Sequence, residues 1–471
     1  MKRTKEGIRL YMNVCMVAYT YYELDNRVMR YAETLAARGD HVDVIALRRR
    51  DGEPDAVVNG VNVLKVQTRI PDEKGKMSYL FRLVSFLLRS TWTLAKRHFR
   101  TRYDLIHVHS VPDFLVFSAI LPKLTGAKVI LDIHDVLPEL YASKFSSGRN
   151  SPAFKMLLLV ERASTRIANH VIIANDLWRE RLVARSVSEE KCTAILNFPD
   201  RNIFCPSGKT RKDGRFVLLY PGTLSWHQGL DIAIRAFAKI CHRVPGAEFH
   251  IYGDGPEKEG LVNLTHNLGL DGQVLVHSCV SLREIAVVME DADLGVVPKR
   301  GDSFGNEAFS TKTLEFMALG VPLIVAATAI DQYYFNDQLV RFFRCGDVDD
   351  LADAMLQLIT DSALRQQLAG NGLLFAMHND WEHKKSVYLD IVDALAGHAR
   401  SFTPVSTRSE ISAGVLSESY VDSSIDEIEL KLIAKDHSVQ DSSRILGAGA
   451  RAGFQAQASP RGLSGINNGR R

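Results

Sequence analysis

Along most of the chain, short apolar runs alternate with longer amphipathic ones. The segments "RLYMNVCMVA" (9–18), "HVDVIAL" (41–47), "YDLIHVHS" (103–110), "AKVILDIHD" (127–135) and "HVIIAN" (170–175) are short, branched and apolar. That is the pattern of strands buried inside a parallel sheet. Helical spacing fills the stretches between them. "RVMRYAETLAARG" ends on Gly39, a natural helix C-cap, and "SPAFKMLLLVERASTRIA" carries Pro152 in its first turn, where the missing N–H is no loss. This alternation predicts a doubly wound parallel sheet.

The pattern breaks at "ILNFPDRNIFCPSGKTRKDG" (195–214), which holds two prolines, two glycines and many charges, and reads as an interdomain linker. A second alternating series follows: "FVLLYPG", "LDIAIRAFAKI", "EFHIYGDG", "QVLVHS", "DLGVVP", "TLEFMALG", "PLIVAA" and "LADAMLQLI". The expected architecture is α/β, with two Rossmann-like doubly wound domains (1–197 and 209–378) facing a central cleft between the carboxyl ends of their sheets. After residue 400 the chain turns rich in Ser, Gly and Gln, and a disordered tail is expected over 401–471.

Composition removes several classes of function. The 471 residues are 46% hydrophobic and 24% charged, as in a globular protein, and a net charge of +3 argues against a nucleic-acid partner. The six cysteines (15, 192, 205, 241, 279, 345) form no CxxC pair, which excludes a zinc or disulfide framework and fits a reducing cytoplasm. The opening "MKRTKEGIRLYMNVCMVAYTYYE" has a basic lead but no cleavage pattern, so no signal peptide is expected. No run of about 18 apolar residues is present to span a membrane.

The densest candidate chemistry is "GNEAFSTKTLEFMALG", from Gly305 to Gly320. Glu307 and Glu315 flank the start of a predicted helix whose unpaired N–H groups favour an anion, with Ser310 and Thr311 at its beginning and Lys312 adding a cation. Two glutamates at this spacing are common in any helical chain, as a solvated loop acid and a helix-surface acid. A second motif, "YGDGPE", follows a strand, but Lys258 stands where the third glycine of a dinucleotide fingerprint belongs. Gly253 and Gly255 therefore read as a tight turn, and a nicotinamide oxidoreductase is not supported.

Taken in order, "HVHSVPD", "LDIHDVLPE", "IIANDLWRERL", "NFPD", "YPGTLSWHQGLDIAIRAF", "IYGDGPE" and the Glu-x7-Glu stretch resemble the retaining glycosyltransferases of family 4, with the GT-B fold, over roughly residues 8–398. The resemblance implies a helix over 379–398 that crosses back to the first domain at Trp381. It implies a nucleotide-diphosphate sugar as donor, with no cofactor and no metal ion. Glu307 would face the transferred sugar and His134 would contact it as the catalytic pair. Glu315 would hold the ribose. Gly222 and Gly253 would lie beside the nucleotide, Cys279 and Val280 against the base, and Ser310, Thr311 and Lys312 at the diphosphate. His109 is a further cleft candidate, and Glu139 an acceptor contact.

Two departures stand out. The loop after the first strand of the second domain carries Thr223 and Gln228 where family members have two cations, leaving His227, Lys299, Arg300 or Lys312 to compensate. The first-domain loop lacks the usual Gly-Gly near Tyr21 and Tyr22. The implied activity is transfer to an acceptor hydroxyl with retention, in glycan, polysaccharide or glycolipid assembly. An epimerase of the same fold, and a non-catalytic nucleotide-sugar-binding or scaffold protein, are the alternatives.

The stretch from Lys74 to Arg102 mixes Phe81, Phe86 and Trp92 with Arg82, Arg89, Lys96, Arg97, Arg100 and Arg102. Such a mixture suits an interfacial helix on an anionic membrane surface, and equally a packed helix with a solvated basic face. With a glycan or lipid-linked acceptor, the first option places the protein peripherally at the inner face of the membrane.

Overall fold

The computed structural model describes residues 11–49, 55–68, 76–144, 150–208, 211 and 213–397, built on two sheets. The first contains β1 (Asn13–Ala18), β2 (His41–Arg48), β3 (Ala56–Val58), β4 (Val61–Thr68), β5 (Leu105–His109), β6 (Lys128–Ile133), β7 (His170–Ile173) and β8 (Cys192–Ala194), in the order β3-β4-β2-β1-β5-β6-β7-β8. All its pairings are parallel except β3 with β4. The second contains β9 (Phe216–Pro221), β10 (Ala247–Tyr252), β11 (Val274–His277), β12 (Leu294–Val297), β13 (Leu323–Ala326) and β14 (Arg341–Phe343), in the order β11-β10-β9-β12-β13-β14, parallel throughout. The expected two Rossmann-like domains are present. Strand order reverses between β1 and β5 and between β9 and β12, and crevices at such reversals are where ligands bind in open α/β sheets.

Local chemistry explains the elements. The helix Asn26–Arg38 starts on Asp25, whose side chain accepts from the Val28 N–H, and stops at Gly39, left-handed at φ +102°. Its apolar face, through Val28, Tyr31, Ala32 and Leu35, is buried against the sheet. The strands are buried along nearly their whole length, as their unbroken apolar runs require.

Three features depart from the sequence expectations. The β3–β4 hairpin was not foreseen; Asn59 and Gly60 turn it, both at positive φ. The stretch 195–214 is not simply a linker, because Ile195, Leu196, Phe198 and Phe204 are buried in the core. The sequence 401–471, expected to be disordered, lies outside the described residues.

The helix Trp381–Ala396 returns to the first domain. The Trp381 indole donates to Thr34 Oγ1 at 2.9 Å, Tyr388 hydrogen-bonds His107 at 3.1 Å, and Arg38 pairs with Asp393 at 2.7 Å. Tyr31 stacks into the same cluster, 4.3 Å from Tyr388 and 5.3 Å from Trp381. Among the described residues no helix is long and apolar enough to cross a membrane.

Because Trp381 is buried against the first domain, Trp381→Ala should lower stability by about 3–5 kcal/mol, the scale of an aromatic truncation in a core. Denaturant unfolding followed by intrinsic fluorescence checks this. A loss below about 1 kcal/mol would mean that the crossing helix contributes little to the fold.

Candidate active site

The first-domain wall of the cleft is built at the carboxyl ends of β5 and β6. Asp132, fully buried near the end of β6, accepts from Arg27 Nε and Nη2, both at 2.8 Å. Its Oδ2 also meets His109 Nδ1 and His134 Nε2, each at 3.1 Å. Burial alone would raise the Asp132 pKa, but Arg27 and His134 outweigh it and hold the carboxyl well below its usual range. His134 is the mirror case. Burial disfavours its charge, yet the Asp132 carboxylate prevails and raises its pKa. His109 and His107 are pushed the other way, chiefly by burial. His134 is therefore the imidazole of this wall that carries charge most readily, and the only one of the three not fully buried.

His107, His109 and Asp132 bring potential metal-ligand atoms within 4.8 Å of one another. The Asp132 oxygens are already held by the Arg27 guanidinium, a geometry that fits a charge-paired core. His109, a cleft candidate from sequence, is 1% exposed and lies beneath His134. Tyr22, in the first-domain loop that lacks the usual Gly-Gly, is fully buried. Glu139, expected as an acceptor contact, is buried and held by Arg185 at 2.6 and 3.0 Å.

The second-domain wall begins with two loops in contact. Gly222 sits at φ +137°, and a Cβ there would overlap the Lys312 side chain. Gly253 follows β10, and a Cβ on it would strike the Gly222 carbonyl. These glycines let the loops after β9 and β10 close on the start of the helix Thr311–Ala318. Ser310 caps that helix in position but not in bonding, for its buried Oγ has no partner among the described residues. Thr311 follows it, half-buried. Burial lowers the Lys312 pKa, and Glu315 partly restores it; burial raises the Glu315 pKa, and Lys312 and Thr311 offset that only in part.

The structure separates the four cations offered as substitutes for the missing pair. Lys299 is buried in an ion pair with Asp331 at 2.8 Å and donates to the Ala308 carbonyl at 2.6 Å. Arg300 holds both Asp231 oxygens at 2.7 Å and stacks on Trp226. His227 faces Asp302 at 3.4 Å. Lys299, Arg300 and His227 are thus engaged within the domain. Lys312 alone of the four has no hydrogen-bonded or salt-bridged partner among the described residues; its Nζ lies 5.2 Å from the Tyr220 ring centre. Thr223 is exposed and uses its carbonyl to accept from Tyr220, and Gln228 closes a turn through its backbone N–H to Ser225. Cys279 and Val280 are exposed beyond β11, where the Cys279 N–H binds Asp254 at 3.2 Å.

Glu307 is not open. Arg181 of the first domain grips its carboxylate, with Nε 3.0 Å from Oε2 and Nη2 against Oε1, while Asn175 donates to the Glu307 carbonyl at 3.0 Å. The same short helix, Asp176–Val183, reaches Tyr334 through Asp176 at 2.9 Å. Sequence reasoning missed Arg27, Asp132, Asn175 and Arg181 as site residues. Arg181 and Asn175 lie inside the motif "IIANDLWRERL" and Asp132 inside "LDIHDVLPE", which were the available signals.

Comparison with known proteins agrees with this geometry. Residues 206–374 match the family model for glycosyl transferases group 1, and residues 24–197 match the glycosyl transferase 4-like domain. The chain is similar to a D-inositol 3-phosphate glycosyltransferase of Arthrobacter sp. (strain FB24), 24% identical over 381 residues, covering 77% of this chain and 88% of the relative. Among solved structures it resembles sucrose-phosphate synthase from Thermosynechococcus elongatus, with a TM-score of 0.67 at 19% identity, covering 81% of this chain and all of that one. It also resembles Anabaena HepE in complex with UDP, with a TM-score of 0.59 at 16% identity, again over 81% of this chain and all of that one.

The His134–Asp132 pair sets a pH dependence. The folded pKa of His134 lies above its ordinary value of 6.5. The stabilisation is then fully present below that value and is lost as pH rises through the folded pKa. His134→Gln should cost more stability at about pH 5.5 than at about pH 8.5. Denaturant midpoints at the two pH values test this, and an equal cost at both would show that the imidazole is not charged against Asp132.

Proposed function

We propose that this chain, which belongs to the group 1 glycosyltransferases of GT-B fold, moves a sugar from a nucleoside diphosphate donor to the hydroxyl of a glycan or lipid-linked acceptor, with retention at the anomeric carbon. One observation carries the donor assignment. Among the described residues, Ser310 Oγ and Lys312 Nζ stand without hydrogen-bonding partners at the N-terminus of the helix Thr311–Ala318. A diphosphate supplies what both lack, and the helix N–H groups add the attraction of their aligned dipoles. The UDP held by HepE supports a nucleoside diphosphate as the ligand class.

In this reading Glu315, one turn into the helix, accepts from the ribose hydroxyls. Glu307 accepts from the transferred sugar once donor binding draws it from Arg181. His134, on the opposite wall, donates to a sugar hydroxyl. The bond from the anomeric carbon to the phosphate oxygen breaks, and the acceptor oxygen bonds to that carbon on the same face. The acceptor proton passes to the departing phosphate oxygen. Lys312, Ser310 and the helix N–H groups stabilise the charge that develops there. A peripheral position at an anionic membrane in the cytoplasm belongs to the same proposal, supported by the basic and apolar faces of the helix Lys76–Thr101.

Lys312→Met should weaken UDP binding by about 1.5–3 kcal/mol, the scale of a hydrogen bond to a charged group. Glu315→Gln should weaken it by about 1–3 kcal/mol. Calorimetry with UDP, or with the nucleoside diphosphate that binds best in a small panel, measures both; unchanged affinities would remove the diphosphate from this helix.

Glu307→Gln separates the two acids. It should spare the free diphosphate and lower kcat with the full donor. Equal losses with both ligands would place Glu307 at the nucleotide and not at the sugar.

A further inference from the structure

The helix Lys76–Thr101 has three faces. Leu83, Phe86, Ser90, Leu94 and His98 are buried against the first domain. A second face carries Met77, Phe81, Val84, Leu88, Trp92 and Phe99, spaced by three, four or seven residues, so that they line up along one side. All six are exposed, from 40% at Val84 to 77% at Met77. The third face carries Arg89, Lys96, Arg97 and Arg100, and it forms one wall of a groove of about 630 Å³ whose other wall is the end of β2 and β4. Arg48 and Lys65 add cations from that side, and among the described residues Asp55 is the one acid lining it.

The cations in this groove are incompletely matched. Lys65 pairs with Glu23 at 2.7 Å, and one nitrogen of Arg97 pairs with Asp43 at 3.2 Å. Arg89 reaches only Ser85, at 3.3 Å. Lys96 and Arg100 have no acidic partner within reach among the described residues. Arg48 donates through Nη2 to the Lys65 carbonyl at 3.0 Å, but its buried Nε has no partner among the described residues. An anion with several acceptor oxygens would satisfy these donors together.

We propose that this groove binds the phosphate of an anionic lipid headgroup, while the adjoining apolar stripe lies in the acyl layer. It deepens the peripheral-membrane part of the proposed function and does not depend on sugar transfer. A soluble phosphate would account for the groove but leave the apolar stripe in water. A second copy of the chain would cover the stripe but, across a two-fold interface, would set one basic groove near another. A lipid surface accounts for both faces at once, because headgroup charge and acyl chains are stacked in the same order as the cations and the apolar side chains.

The test uses the full chain, with vesicles of phosphatidylcholine alone and of phosphatidylcholine with phosphatidylglycerol. Sedimentation should show partition onto the anionic vesicles stronger by roughly tenfold or more, and weakening by a similar factor between low and high salt as screening shortens. The Trp92 contribution to emission should shift to the blue on binding and vanish in Trp92→Phe. Lys96→Gln with Arg100→Gln should reduce partition to the neutral-lipid level. Leu88→Ser with Trp92→Ser should do so as well, by removing the apolar stripe. All four side chains are exposed, so melting temperature and UDP affinity should stay at native values and certify folding. A native chain that partitions without binding UDP would refute the donor assignment and support this one. The proposal is overturned by a native chain that ignores anionic vesicles at low salt, or by either double variant partitioning as the native does. Glycerol phosphate binding without vesicle binding would assign the groove to a soluble anion. Self-association abolished by Leu88→Ser with Trp92→Ser, with vesicles ignored, would assign the stripe to a second copy.

Discussion

The Arg27–Asp132 pair is the interaction on which the first domain and its side of the cleft depend. Both groups are buried, and breaking such a pair typically costs about 3–5 kcal/mol because one charge is left uncompensated. Arg27 also donates to the Ile195 carbonyl at 2.8 Å, just past β8, so one guanidinium joins the first helix, the sixth strand and the end of the domain. Asp132 in turn positions His109 and His134. His107 and His109 stack at 4.1 Å, and His107 bonds Tyr388 of the crossing helix. The floor of the cleft and the return of the chain to the first domain are therefore one buried network, and four distant sequence segments must be in place together.

The contacts across the cleft are fewer in kind: a ring contact, Trp178 to Phe304 at 5.6 Å, and a set of polar ones. Arg181 to Glu307, Asn175 to the Glu307 carbonyl, Asp176 to Tyr334 and Ser143 to Asp302 are polar contacts between single side chains and the loops and helices beyond β12 and β13. Polar interdomain contacts of this sort yield to motion more readily than apolar ones. Three of the four come from residues 175–181, so a shift of the short helix Asp176–Val183 releases them as a group. The same helix keeps the Glu307 carboxylate paired and oriented through Arg181.

The fold was legible because parallel strands buried on both faces cannot avoid unbroken apolar runs, and the helices between them carry strong caps such as Asp25, Gly39 and Ser151. What escaped were elements too short to show a period. β3, β8 and β14 have three residues each, and β3 is an edge strand with an exposed Val57. The Asn59-Gly60 pair was the visible signal for its hairpin. In the site, Ser310, Lys312 and Glu315 were readable because they share one helix start. Arg27 with Asp132 and Arg181 with Glu307 were not, because partners 105 and 126 residues apart leave no local pattern. The competing cations show the same limit. Their charge is written in the sequence, but Asp231, Asp302 and Asp331, which hold Arg300, His227 and Lys299, meet them only in the folded chain.

The loop Gly222–Gln228 carries no arginine or lysine, which bears on the electrostatics around Lys312. A buried cation without an anion loses its hydration and gains nothing in return. Lys312 already carries that penalty, since its pKa is lowered by burial despite Glu315 nearby. Two further cations in the same dry space would raise the cost of the unliganded state. Here the remaining attraction comes from the N–H groups of the helix Thr311–Ala318, whose dipoles are fixed by the backbone and cannot deprotonate. Under the proposed function a diphosphate would pair with Lys312 and reach the Ser310 hydroxyl, so that affinity would rest on a preformed helix end and one lysine, with the glycines at 222 and 253 leaving room for both.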